Sequence, residues 1–469
     1  MKQMVMVLMF FCLMLEIPFQ ANAEETLEFG RFGKVTLYRT SPQPSHVVLF
    51  ISGDGGWNLG VIDMAQALAG LDALVVGIDI TRYLKALAAS SEPCSYPAAD
   101  FESLSKFVQK KKEFTRYVPP VLVGYSSGAT LVYATLVQAP PNTFHGAISM
   151  GFCPDLPLTK PFCKGSGLTW KPGPKGKGFS FEPAPGLQNP WIAFQGTIDQ
   201  VCDPGTVSEY VKKVGHAQIV VLPKVGHGFS VPRNWMPQFK QAFTGLVKED
   251  TALGASHEKL QDLPLLEVPS REEKGDIFAV ILTGDGGWAS LDRNVGETLA
   301  KQGIPVVGFN TLQYFWTPRT PDRASLDLAR VLDHYLADWH KSRVLLIGYS
   351  LGADVLPFMA NRLSPEQLSR VEMVTLLGPG LKAAFEFHLS DWLGGGPEQA
   401  GRPIKPELSR LKGTRVLCIF GEEEKESLCR DLDPAPDGMK CIQMKGSHHF
   451  SGNYQELTDI ILKELTPSQ

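Results

Sequence analysis

The chain has 469 residues, 43% of them hydrophobic and 20% charged, with a formal net charge of −4. That length exceeds a single ordinary core and calls for two or three domains, and the balance of apolar and charged residues is ordinary for a folded protein. There is no clustered basic excess, the densest run being Lys110 to Lys112, which argues against direct nucleic-acid binding.

Read in chain order, the first segment is a secretory signal. Lys2 precedes the apolar run Met4 to Leu15, and Ala21-Asn22-Ala23 precedes Glu24. A basic start, a short apolar stretch and an A-x-A site give a signal peptide over 1–23, cleaved after Ala23. Glu16 and Pro18 interrupt the run before it reaches spanning length, so the expectation is a soluble protein outside the cytoplasm. In that oxidising setting the cysteines beyond Cys12 are expected to pair. Cys153 with Cys163 and Cys429 with Cys441 close the shortest loops, leaving Cys418 as the candidate free thiol. No Cys/His grouping has zinc-site spacing, so neither metal nor other cofactor is expected.

Short apolar runs then alternate with helical patterns: Val47 to Ile51, Ala73 to Ile78, Val121 to Val123, Ala147 to Met150, Trp191 to Phe194 and Ile219 to Leu222. Fully apolar strands separated by helices predict an α/β fold, a mostly parallel sheet with helices on both faces. Residues 154–190, rich in Gly, Pro and Lys, read as a surface loop or partial lid.

The chain repeats itself. Leu49 to Trp57 recurs as Val280 to Trp288, with Gly-Asp-Gly-Gly-Trp in both, and Gly124-Tyr125-Ser126-Ser127-Gly128 recurs as Gly348-Tyr349-Ser350-Leu351-Gly352. Gly226-His227-Gly228-Phe229-Ser230 is echoed by Ser447-His448-His449-Phe450-Ser451. The unit is one domain long, so the reading is a duplication. A first α/β-hydrolase-like domain is expected over 24–250 and a second over 275–469, joined by the polar, charge-rich linker 251–274.

Each G-x-S-x-G follows an apolar strand and opens a helix, the context a nucleophile elbow requires. Ser126 and Ser350 are therefore the candidate nucleophiles. Each needs a base and an orienting acid, in the order serine, acid, histidine. His227 and His448 follow the last strand of each copy. Asp199 follows Gly196 as Glu424 follows Gly421, and the serine-to-acid distance is nearly the same in both copies. Aligning Cys202 on Cys429 selects Glu426 instead, so the second acid is Glu424 or Glu426. Oxyanion donors are expected from the N–H of Ser127 or Leu351, and from Asp54 or Gly55 and Asp285 or Gly286 in the glycine-rich loops.

With its Thr283-Gly284-Asp285-Gly286-Gly287-Trp288, Gly352-Ala353-Asp354-Val355-Leu356-Pro357 and Ser447-His448-His449-Phe450 motifs, the second half resembles the AcvB/VirJ family of bacterial virulence proteins. The two-domain chain resembles its longer AcvB-like members. That resemblance implies a periplasmic α/β-hydrolase, peripheral to the inner membrane, that cleaves aminoacyl-phosphatidylglycerol, notably the lysyl form. It also implies links to secretion-system or other virulence proteins. On this reading Ser350 attacks the aminoacyl carbonyl, and Asp354 is either a partner for the substrate ammonium or a structural carboxylate. Tyr314-Phe315-Trp316 and Trp392 either line a lipid entrance or pack in the core. The rival class is a non-catalytic binding or secretion-accessory protein on the same fold.

Overall fold

The computed structural model describes residues 25–248, 260–270, 272, 275–288, 290–387, 401–432 and 438–465. Residues 1–23, expected above to be a signal peptide, and Trp392 lie outside them. The strands of the first half are β1 (Glu25–Phe29), β2 (Gly33–Tyr38), β3 (His46–Ile51), β4 (Ala73–Ile78), β5 (Val121–Tyr125), β6 (Gly146–Met150), β7 (Asp155–Leu156), β8 (Trp170–Pro172), β9 (Phe179–Phe181), β10 (Trp191–Gly196) and β11 (Ala217–Leu222). Those of the second are β12 (Leu265–Val268), β13 (Ile277–Leu282), β14 (Val306–Phe309), β15 (Arg343–Tyr349), β16 (Val371–Leu377), β17 (Lys382–Ala383), β18 (Arg402–Pro403), β19 (Val416–Gly421) and β20 (Met439–Met444).

Two main sheets result, in the orders β1-β2-β4-β3-β5-β6-β10-β11 and β12-β14-β13-β15-β16-β19-β20. Pairing is parallel from β4 to β11 and from β14 to β20, and antiparallel only at the β1–β2–β4 and β12–β14 edges. Both halves are α/β-hydrolase-type sheets. Their strands are apolar on both faces because helices cover both. In β3, Val47, Leu49 and Ile51 face one core while Val48 and Phe50 face the other. Among the described residues no helix is long and apolar enough to cross a membrane.

The stretch read as linker holds a strand: Leu265–Val268 forms the antiparallel edge of the second sheet, the place β2 takes in the first. A half-exposed edge strand carries polar residues, which is why its composition resembles a linker. The insertion 154–190 forms the small sheet β7-β9-β8 and buries Phe162, Leu168 and Phe181 against the first core.

The disulfides differ from the short-loop expectation. They are Cys94–Cys163, Cys153–Cys202 and Cys418–Cys429, and Cys441 stands outside all three. Sheet order decides this, not sequence distance. Cys153 follows β6 and Cys202 follows β10, and those strands are neighbours. Cys418 lies opposite Cys441 across β19–β20 but bonds to Cys429 beyond the next loop.

The domains pack head to tail. Residues bordering the starts of the first domain's strands (His46, Tyr117, Asn142, Asn189) share interdomain cavities with second-domain residues beyond β13 and β14 (Trp288, Arg293, Gln313, Arg319). Tyr117, Leu312, Trp316 and Phe387 form a small apolar cluster across this junction, and Trp316 Nε1 donates to Phe114 O at 2.7 Å. Trp316 and Phe315 are thus packed, not arrayed at an open entrance.

Candidate active site

In each sheet the chain leaves β3 or β13 for the neighbour on one side and β5 or β15 for the neighbour on the other. That reversal opens a crevice at the strand C-termini, where α/β sheets bind ligands. Ser126 directly follows β5 and Ser350 directly follows β15. Both sit in the left-handed region, with φ of 55° and 52°, at the first turns of helices Ser127–Gln138 and Leu351–Ala360. A non-glycine residue held at positive φ is strained, and the surrounding glycines make the turn feasible. A Cβ on Gly128 would meet Ile51 and Ser52 carbonyls at about 2.5 Å, and one on Gly352 would meet Leu282 O at 2.1 Å. Only glycine lets the helix approach the preceding strand so closely.

The first triad is closed. Ser126 Oγ lies 2.9 Å from His227 Nε2, and His227 Nδ1 lies 3.0 Å from Asp199 Oδ2. Asp199 is buried, and its Oδ1 accepts the N–H groups of Val201 and Cys202 at 2.9 and 3.0 Å. Burial alone pushes this carboxyl up. The Cys202 N–H, His227 and Val201 N–H outweigh it and hold the pKa below the usual aspartate range. Gln195 Nε2 adds a donor to Oδ2 at 3.2 Å, a contact that sequence reasoning did not single out. The corresponding residue of the second copy is Phe420, so the two acids have different supports.

The second triad assembles around Glu424, whose Oε1 lies 2.5 Å from His448 Nδ1 while Oε2 accepts Gly421 N–H at 2.6 Å. Glu426 is exposed and takes no part. Ser350 Oγ makes no hydrogen bond to His448, whose side chain is 38% exposed against 17% for His227. Serine–histidine contacts of unliganded hydrolases often close only around substrate. His449 instead pairs through Nδ1 with Tyr349 OH at 2.9 Å. Burial and then His448 lower its pKa.

Two glycines also shape the sites without having been singled out. Gly151 and Gly378, directly after β6 and β16, have φ of 65° and 56°; a Cβ on Gly378 would strike the His448 imidazole at 2.8 Å, and one on Gly151 would crowd that of His227 at 3.2 Å. A repeated glycine one residue after a strand was the available signal.

The glycine-rich loops lie against the candidate nucleophiles, since a Cβ on Gly53 would stand 3.0 Å from Ser126 Cβ and one on Gly284 3.4 Å from Ser350 Cβ. The N–H groups of Ser127 and Leu351 open their helices and have no partner among the described residues, as an oxyanion hole requires. Asp54 and Gly55 line a cavity of about 440 Å³ over Ser126, together with Met64, Phe229, Trp235 and Met236. Nothing from 154–190 lines it, so that insertion flanks the site and is not its lid.

Asp354 lies one helical turn beyond Ser350, on the same face. Its Oδ1 accepts Gly380 N–H at 2.7 Å, and Oδ2 has no partner among the described residues. Burial pushes this carboxyl well above the ordinary range against the Gly380 hydrogen bond, and Asp285 raises it further. The first domain has Thr130 here, satisfied by Cys153 O at 2.6 Å. Asp199, Cys202 and His227 cluster as metal ligands do, but Cys202 is in a disulfide and the other two belong to the triad.

The bacterial virulence protein (VirJ) family model matches residues 45–150 and 276–469. No curated protein matches the chain. Among solved structures, a butyrate-bound esterase, Est2 from Thermogutta terrifontis, is 15% identical over 51% of this chain and 98% of its own, with a TM-score of 0.36. XC6422 from Xanthomonas campestris, described as an α/β serine hydrolase without a lid, is 20% identical over 48% and 94%, with a TM-score of 0.32. Est1E from Butyrivibrio proteoclasticus is 10% identical over 48% and 100%, with a TM-score of 0.33.

Proposed function

The chain belongs to the bacterial virulence protein (VirJ) family, and from that premise we propose that it is a serine esterase with two catalytic centres, the second of which hydrolyses aminoacyl-phosphatidylglycerol. The observation that carries the substrate is Asp354, a carboxyl group with one oxygen unpartnered among the described residues, on the nucleophile's own helix, where burial disfavours its charge until a cation stands beside it and where the first domain has a satisfied threonine. An aminoacyl ester brings an ammonium close to the carbonyl under attack, and this is the place for its counter-charge. The three disulfides support an oxidising compartment, and we place the protein in the periplasm at the inner-membrane surface.

His448 takes the Ser350 proton as Oγ attacks the aminoacyl carbonyl. Glu424 holds the imidazole with Nδ1–H toward itself and stabilises the imidazolium. The oxyanion is met by the Leu351 N–H and the loop beside Gly284. Collapse breaks the ester bond, and His448 returns the proton to the departing glycerol hydroxyl, freeing phosphatidylglycerol. Water, deprotonated by His448, then attacks the aminoacyl-serine and releases the amino acid. The first centre runs the same cycle on a neutral acyl group.

The test is release of free lysine from vesicles of lysyl-phosphatidylglycerol by the full chain and its Ser126→Ala, Ser350→Ala and double variants. Release should vanish with Ser350→Ala. Equal release by the double variant, or none by the parent, refutes the assignment. The open Ser350–His448 contact favours a second reading, a binding protein without turnover at this centre. That reading predicts lipid retention by the parent with no lysine released.

A further inference from the structure

The two glycine-rich loops are latched differently. In the first, Asn58 Nδ2 donates to Gly55 O at 2.6 Å, so the loop is closed by its own side chain. The gapless repeat places Ala289 at the corresponding position, and alanine has no donor. The second loop is held from outside. Lys106, on helix Pro97–Lys111 of the first domain, is fully buried and donates from Nζ to Asp285 O at 3.3 Å. Its ammonium is fixed by Glu102 one turn earlier, at 2.8 Å, and stands 5.4 Å from the centre of the Phe387 ring. Lys110, one turn later, donates to Trp316 O at 2.6 Å and sits over that indole. One face of a first-domain helix therefore clamps the catalytic end of the second domain.

We propose that Lys106 is a positioning residue for the second catalytic centre, holding from the neighbouring domain the loop that completes the Ser350 oxyanion hole. The peptide unit gives the reason. Asp285 C=O and Gly286 N–H share one plane and, in a trans peptide, point in opposite directions. A cation on the carbonyl fixes that plane, aims the Gly286 N–H to the far side and polarises it into a stronger donor. In the first centre Asn58 closes the loop from within, on Gly55 O, one peptide beyond the position that Lys106 holds in the second. The second centre is thereby made dependent on domain docking, and the head-to-tail packing has a catalytic consequence.

The inference rests on the serine-esterase reading of Ser350, and its test separates the two. The full-length chain carrying Ser126→Ala reports Ser350 alone, with p-nitrophenyl butyrate as probe. Adding Lys106→Met should lower kcat roughly 10- to 100-fold, somewhat less than deleting an oxyanion donor, with KM changed by less than about twofold. Lys106→Arg, which still donates to the carbonyl, should restore most of the rate. Because Lys106→Met leaves Glu102 without its ammonium, the Glu102→Gln/Lys106→Met chain is measured beside it and should show the same loss. Amide exchange of residues 284–288 should accelerate at least about tenfold in both Met variants while that of 53–57 stays unchanged. A purely structural lysine would shift only thermal stability. Unchanged loop exchange, or unchanged kcat in a chain that turns over, overturns the proposal. No turnover in any Ser126→Ala chain refutes the esterase reading of Ser350 instead, and exchange alone then decides the latch.

Discussion

Replacing Asp199 by Asn should disable the first centre through the tautomer of His227. Asp199 Oδ1 accepts two backbone N–H groups and Oδ2 faces His227 Nδ1. An asparagine must keep its oxygen on the backbone pair, since reversal sacrifices both hydrogen bonds, about 2–4 kcal/mol. Its NH2 then meets His227 Nδ1, which must become an acceptor. The ring proton moves to Nε2, against Ser126 Oγ, and the base is lost. The expected fall in kcat is about 10³- to 10⁴-fold, some 4–5.5 kcal/mol of barrier. Among the described residues, one backbone N–H, that of Gly421, holds Glu424 in the second centre. The amide of Glu424→Gln can turn over for about 1–1.5 kcal/mol, so its loss should be smaller by roughly tenfold. Both are measured on a short-chain ester in chains with the other serine changed to alanine. If Asp199→Asn keeps kcat within tenfold of its parent, or Glu424→Gln is the more severe, the reasoning fails.

Asp354 has a carboxyl raised by burial, so its ionisation opposes folding as pH rises above the unfolded value of about 3.9. Asp354→Asn should therefore raise the melting temperature at pH 7 and much less at pH 4, while slowing lysyl-ester turnover more than butyrate-ester turnover; an equal thermal shift at both pH values contradicts the assignment. Cys153–Cys202 ties down the Asp199 loop and Cys418–Cys429 spans the Glu424 loop. Changing either pair to serine should cost about 2–4 kcal/mol of stability and lower kcat chiefly at the centre it braces, which single-serine chains and denaturant melts would resolve. A methyl group at Gly378 would lie 2.8 Å from His448. Gly378→Ala should cut turnover at Ser350 by roughly tenfold or more, leaving Ser126 unaffected, and full activity at Ser350 would show that the imidazole has room to move.

Serine, acid and histidine were legible because duplication wrote them twice. A single G-x-S-x-G is weak, but Ser126 and Ser350 recur with matched partners, and the strand pattern around them fixes the elbow. The choice between Glu424 and Glu426 needed coordinates, because four of the five residues Glu422 to Glu426 are glutamates and only the turn after β19 selects one. Disulfides were misread because their partners are neighbours in sheet order, which cysteine spacing does not encode. Strand β12 was hidden by the polar face of an edge strand. The Lys106–Asp285 contact was invisible for a different reason: it joins two copies of the repeat, and comparing the copies with each other says nothing about how one docks on the other.

The most direct test of two serine nucleophiles is intact-mass measurement of the folded chain after exposure to a fluorophosphonate, which modifies only an activated serine. One adduct on Ser126 and one on Ser350 are predicted, falling to a single adduct in each Ser→Ala variant and to none in the double variant. A folded parent chain that takes up no adduct on either serine would contradict the account.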